Sequence, residues 1–184
     1  MQYICHSGGC PGADMVWENE GLNFGVKTIA YSFRNHIHEG KNPKILTVGE
    51  LGEGWNAVLL ANKTLQKNVN EIVYPYVKNL LCRNWFQVKN SEAIFAVGQL
   101  MSDRLVDGGT GWAVQMAIDN HKPVYIFNQK ETGWFEYIYD AGYFMIMSDI
   151  PTLTVNFAGI GTRKITPAGI QSIKDIYRHN FIGK

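Results

Sequence analysis

The chain has 184 residues, 46% of them apolar and 18% charged, and its 17 basic and 16 acidic side chains give a formal net charge of +1. That length and balance describe one globular domain, residues 1–184, with a core of its own, and they leave no net field to gather nucleic acid or an anionic membrane. Three cysteines (Cys5, Cys10, Cys82) are too few and too scattered for a disulfide framework or a zinc site. They read as buried or loop thiols of a reducing compartment, and with no charged-then-apolar leader and no membrane-length apolar run the expected location is the cytoplasm.

Residues 2–6 read as a buried strand that runs into Ser7-Gly8-Gly9-Cys-Pro-Gly12, with a helix predicted from Ala13 to about Leu22. Strand, glycine turn and helix start, in that order, build the phosphate-binding crevice of an open α/β sheet; the same residues also suit a plain turn. Ser7 offers a hydroxyl, Gly8 and Gly9 let the backbone approach an anion, and Asp14 complements the helix dipole. Val26–Tyr31 is predicted as the next strand, parallel to the first through a βαβ unit. Residues 32–54 have the weakest periodicity and read as a long loop, functional or mobile. Within it Arg34 is either an anion contact or a surface arginine, and His36 and His38 read as solvated rather than as half of a metal site.

Helical periodicity returns over Trp55–Gln66 and Val69–Val88, with Pro75 as a kink or a boundary. Arg83 and Asn84 near the end of the second helix are candidates for phosphate or sugar contact, Arg83 equally for a structural ion pair. The strand Glu92–Val97 is followed by a second glycine loop, Asp107-Gly108-Gly109-Thr110-Gly111, a helix to Asn120 and the strand Pro123–Phe127. Trp112 suits either the core or a stacking platform. Trp134–Tyr139 and Tyr143–Met147 are predicted as an aromatic hairpin turning at Asp140–Gly142. Leu153–Phe157 then reads as a strand, Ala158-Gly159-Ile-Gly161-Thr162-Arg163 as a third glycine turn, and Thr166-Pro167 as the cap and first residue of a helix to about Tyr177. Alternating strands and helices predict an α/β fold with a Rossmann-like, mainly parallel open sheet, helices on both faces, and the hairpin near the C-terminal third.

Ser7-Gly8-Gly9-x-x-Gly12-Ala13-Asp14, Arg83-Asn84, Gly108-Gly109-Thr110 and Gly159-Ile-Gly161-Thr162-Arg163 together resemble the signatures of a Rossmann-like superfamily. It includes the DNA-processing protein A domain, the lonely-guy phosphoribohydrolases and the nucleotide-sensing (SLOG-like) domains of some antiphage systems. The chain most resembles phage and bacterial proteins carrying "SGGAxGAD", "GGT" and "GIGSR" motifs. In most of that superfamily the Gly-Ser-Arg unit precedes the Ser-Gly-Gly unit, and here it comes last, as a circular permutation would place it. The resemblance therefore implies that the last strand lies beside the first, in parallel, with Arg163 near Ser7.

What it implies about function is a bound nucleotide or nucleotide-derived small molecule, held by Ser7, Gly8, Gly9, Gly12, Arg83, Asn84, Gly108–Gly111, Gly159, Gly161, Thr162 and Arg163, for sensing or sequestration. No metal or other cofactor is expected, no membrane or nucleic-acid partner is implied, and a homo-oligomer is compatible with the family. Where the lonely-guy enzymes carry a glutamate after the glycine loop, this chain has Gln115, which takes no proton. A nucleoside 5′-monophosphate N-glycosidase would need Glu18 or Asp14 instead. These carboxylates share a helix face at i, i+4 and also read as a surface pair. A DNA-binding domain of the DNA-processing type is the third reading, which the near-neutral charge disfavours.

Overall fold

The computed structural model describes residues 2–182; Met1, Gly183 and Lys184, within the expected 1–184 domain, lie outside the described residues. The strands are β1 (Ile4–Ser7), β2 (Lys27–Phe33), β3 (Pro43–Leu46), β4 (Ala93–Gly98), β5 (Val124–Asn128), β6 (Gly133–Ile138), β7 (Tyr143–Ile146) and β8 (Asn156–Gly161). They form one sheet in the order β3-β2-β1-β8-β4-β5-β6-β7. The first six in that order are parallel; β6 and β7 add an antiparallel hairpin at the edge. This is a Rossmann-like open α/β sheet, and the last strand does lie parallel beside the first, with Cys5 opposite Phe157.

Five helices cover the faces: α1 (Ala13–Asn23), α2 (Val48–Leu65), α3 (Pro75–Lys89), α4 (Gly108–Asp119) and α5 (Pro167–Phe181). One face packs α1 and α5 through Trp17, Ile173, Ile176 and Tyr177 onto Phe95 and Phe157. The other packs α2, α3 and α4 through Val58, Leu81, Ala113 and Met116 onto Ile94, Ile126 and Ile160. All of β4 is buried, as befits a central parallel strand covered on both faces.

Helix starts follow local chemistry. Thr47 and Glu50 form a reciprocal capping box that begins α2 seven residues before the predicted Trp55, inside the stretch expected to be a loop. Pro75 is the first residue of α3, a boundary rather than a kink, and Val69–Glu71 before it is a single 3-10 turn. The α3 C-terminus is closed by the Lys122 ammonium, which donates to the carbonyls of Val88 (2.7 Å), Lys89 (3.1 Å) and Ser91. Thr166 accepts from the Gly169 amide at 3.1 Å to start α5.

Two further departures bear on the site. Residues 34–42 are irregular, but they join two parallel neighbours, β2 and β3, without a helix, so the segment must cross the strand ends. The last strand spans 156–161 rather than 153–157, so Gly159 and Gly161 belong to the strand and not to a turn. Their missing side chains make room for α1: a Cβ on Gly159 would sit 2.8 Å from Trp17, and one on Gly161 2.6 Å from the Ala13 Cβ. The Trp17 indole N–H donates to the Ile160 carbonyl at 3.2 Å, which locks the helix across this strand.

Candidate functional site

The strand order runs outward in opposite directions from the centre, β1 to β3 one way and β4 to β7 the other. A crevice opens at such a switch, outside the carboxyl ends of the strands. Here it holds a cavity of about 820 Å³ between the ends of β4 and β8, the start of α4, and α3 with the segment leading into it.

The second glycine loop forms one wall. From β4 the chain is pinned by Leu100 N–H on the Asn128 carboxamide oxygen (3.3 Å) and by Asp107 N–H on the Gln99 carbonyl (2.9 Å). It then enters α4 at Gly108, with φ +65. The N-cap residue Asp107 makes no side-chain bond to the helix, and Asp107, Gly108 and Gly109 line the cavity, where the positive end of the dipole lies. Asn84 reaches across from α3 to donate to the Gly109 carbonyl at 3.3 Å, and Thr110 lines the cavity. Gly111 lies beneath the Val106 carbonyl, where its lack of a Cβ permits close packing rather than ligand contact.

The end of β8 forms a second wall. Thr162 N–H donates to the Val97 carbonyl (2.9 Å), and its own carbonyl accepts from Ala13 N–H (3.0 Å). Arg163 and Lys164 then stand at the rim, and Gln129 clamps the turn by donating to the Lys164 carbonyl (3.2 Å) and accepting from Thr166 N–H (2.6 Å). Among the described residues no carboxylate lies within 4 Å of the Arg163, Lys164 or Lys67 cation. The opposite wall is apolar, built by Val69, Ile72, Val77, Leu80 and Leu81, with Trp112 beside them and the Lys67 ammonium 5.7 Å from its ring centre. Unpaired cations and free amides facing an apolar wall suit a ligand with an anionic end and a flat apolar end.

The first glycine loop is built differently. Ser7, Gly8, Gly9 and Cys10 are all buried. The Ser7 hydroxyl accepts from Gly9 N–H at 3.3 Å, the Gly8 carbonyl accepts from the Arg83 guanidinium, and the Gly9 carbonyl accepts from Glu39 N–H at 3.0 Å. The 34–42 segment closes over it so tightly that a Cβ on Gly40 would fall 2.8 Å from the Gly9 Cα. Inside the loop lies a carboxylate of the chain itself: Asp14 Oδ2 accepts from Cys10 N–H at 3.3 Å and sits 4.0 Å from Arg83 Nη2. Burial pushes the Asp14 carboxyl up, against the pull of Arg83 and of the Cys10, Gly161 and Gly8 amides. Of this loop and the helix it starts, only Cys10 and Asp14 reach the cavity.

The expected residues therefore divide. Arg83, Asn84, Gly108, Gly109, Thr110, Gly161, Thr162 and Arg163 come together at one cavity, with Asp14 at its edge. Ser7, Gly8, Gly9, Gly111 and Gly159 are packing positions beside it, and Gly12, with φ +102, holds the first loop against the backbone of Thr162 and Arg163. Asp14 and Glu18 are not a surface pair: they are 5% and 0% exposed. Glu18 lies away from the cavity; its Oε2 accepts from Lys41 N–H at 2.9 Å, its Oε1 has no partner among the described residues, and burial pushes its carboxyl up. Gln115 is spent on Asp119 within α4 (2.8 Å). His36 is buried against Cys10 rather than solvated, while Arg34 is exposed away from the cavity. Among the described residues no three His, Cys, Asp or Glu side chains converge on a metal position.

Lys67, Lys164 and Gln129 are three of the polar lining residues that sequence reasoning missed, beside Cys10, Gln87 and Asp107. Lys164 directly follows the third motif and could have been read with it; nothing in the sequence marks Lys67 or Gln129. Comparison of the chain with family models, with curated proteins and with solved structures gives no match.

Proposed function

We propose that the chain binds a nucleotide or nucleotide-derived small molecule in the cavity between the second and third glycine loops, as a sensing or sequestering protein. The observation that carries this reading is the pairing, in one cavity of about 820 Å³, of an uncapped helix start and unpaired cations with an apolar wall. The phosphate would sit at the α4 amides with Arg163 and Lys164, and the base against Trp112 and the aliphatic wall. That volume lies in the range of small-molecule sites. Mass spectrometry of small molecules that co-purify with the protein, followed by calorimetry with a panel of nucleoside 5′-monophosphates, tests it. Micromolar binding that weakens in Arg163→Ala supports the reading; no binding by any member of the panel overturns it.

A hydrolytic reading rests on Asp14, the carboxyl at the cavity edge that burial keeps prone to hold a proton. It predicts free base on incubation with a nucleoside monophosphate, lost in Asp14→Asn. Glu18 has no route to that role while it is fully buried away from the cavity. Among the described residues no helix is long and apolar enough to cross a membrane.

A further inference from the structure

Cys10 stands apart from the other two thiols. Cys5 and Cys82 are packed in the two apolar clusters, where burial pushes both thiols up, Cys82 to about 11. Cys10 instead lines the cavity. Its Sγ lies 3.8 Å from His36 Nε2, and the other ring nitrogen of His36 lies 3.0 Å from the Ser32 hydroxyl. A nucleophile, a base facing it and a hydroxyl that orients the base are thus in line. Two guanidiniums face the same sulfur, Arg83 Nη2 at 3.2 Å and Arg163 Nη2 at 3.8 Å. Arg83 is only 6% exposed, and its Nε–H finds no acceptor among the described residues, a buried donor left for an oxygen the chain does not supply.

We propose that Cys10 is a nucleophilic thiol for acyl transfer, with His36 as its base, Ser32 as the positioning residue of that base, and Arg83 and Arg163 as donors to the carbonyl oxygen. The substrate class is an ester or activated amide whose remaining body is anionic, since it must enter the cavity proposed above as the ligand site, and to that extent the inference rests on the binding reading. His36 Nε2 takes the thiol proton as Sγ bonds to the carbonyl carbon, and the carbonyl π pair moves onto oxygen between the guanidiniums. Collapse breaks the bond to the alkoxide or amine, which leaves with the proton from His36. Water, losing its proton to His36, then attacks the thioester carbon; the acid departs and the thiolate regains that proton. The net reaction is hydrolysis of one ester or amide bond. Burial, the Arg83 and Arg163 charges and the neighbouring His38 hold His36 down at about 4, so the ring is neutral at pH 7.

The test uses the full chain with two chromogenic probes, p-nitrophenyl acetate and the anionic mono-p-nitrophenyl glutarate. The expected result is a burst of nitrophenolate near one equivalent, faster with the anionic ester, and an acyl group mapped by peptide mass spectrometry to Cys10 and not to Cys5 or Cys82. Cys10→Ala and Cys10→Ser should both lose the burst, and His36→Gln should slow acylation about 10²-fold, with each variant's melting curve recorded to confirm folding. Should the thiol be no more than a packed loop residue, Cys10 carries no acyl group and nitrophenolate release is the same in wild type and both Cys10 variants. That result overturns the proposal. Calorimetry with the panel of nucleoside 5′-monophosphates on the same preparations separates the two failures: binding of any member without a burst sinks the thiol chemistry alone, and a burst with no member bound sinks the nucleotide reading and leaves the thiol standing.

Discussion

The first and second glycine loops carry similar sequence patterns and do opposite work. Both follow a parallel strand and start a helix, at Ala13 and at Gly108. Around the first, the Asp14 carboxyl accepts from the loop's Cys10 amide, Arg83 Nη1 donates to the Gly8 carbonyl, and the 34–42 segment covers the outside. Around the second, the N-cap Asp107 makes no bond to the helix amides, and Asp107, Gly108 and Gly109 line the cavity. We read a glycine loop at a helix start as an anion site only where no carboxyl of the chain already meets its amides, as Asp14 does here.

The largest expected effect comes from joining the two kinds of loop by their glycines. Gly12→Ala would place a Cβ 2.6 Å from the Arg163 Cα and carbonyl at φ +102, for a loss of about 3 kcal/mol. Gly109→Ala meets open space in a helical turn, so stability should change by less than about 1 kcal/mol, in the favourable direction. Its Cβ points where a ligand would lie, and AMP affinity should fall. Thermal melts and calorimetry on the pair decide it; a Gly12→Ala protein as stable as wild type would remove the structural role of the first loop.

Arg163→Ala comes next, with a loss of about 1.5–3 kcal/mol in nucleotide binding, tenfold or more in Kd, and no change in the melting of the free protein. An unchanged Kd would shift the anion away from the end of β8. Glu18→Gln sharpens the contrast from the closed side. Its carboxyl is raised above the ordinary 4.5, so the stability it contributes is present below that value and is lost as pH rises through the folded value. An amide carries no such loss and can still accept from the Lys41 amide. Melting at pH 7.5 should therefore be unchanged or higher, with nucleotide affinity unaltered; weakened binding would return Glu18 to the site.

The effect that is smallest at neutral pH is that of the closing segment, whose pH dependence lies in the acid range. His36 is lowered from 6.5 to about 4, so the neutral ring's contribution is complete above pH 6.5 and drains away as pH falls toward about 4. The drop in melting temperature across that window should be shallower in His36→Gln than in wild type. Equal slopes would mean that His36 is not held neutral by its surroundings.

Much of this architecture was legible. The strand-loop-helix units at Ser7, Gly108 and Gly161 and the aromatic hairpin follow from periodicity and turn chemistry, and the adjacency of the first and last strands is what the resemblance implied. What stayed hidden depends on tertiary partners. β3 is four residues with only Leu46 buried, too short for a pattern. The capping box at Thr47–Glu50 was readable, but Gly49 within it and Gly52 and Gly54 after it dilute the helical signal. Gly159 looks like a turn residue because the indole it accommodates is 142 positions away, at Trp17, on another element. No local pattern tells that Glu18 is fully buried or that Asp14 faces its own loop's amide; an i, i+4 acidic pair reads the same on a wet face.

The central claim is that the anion binds at the second and third loops and that the first is closed. Amide chemical shifts of the ¹⁵N-labelled protein, titrated first with inorganic phosphate and then with AMP, read this residue by residue. The account predicts saturable shifts at Gly108, Gly109, Thr110, Arg163 and Lys164, with Gly8 and Gly9 unmoved. Shifts centred on Gly8 and Gly9, with the start of α4 silent, would contradict it.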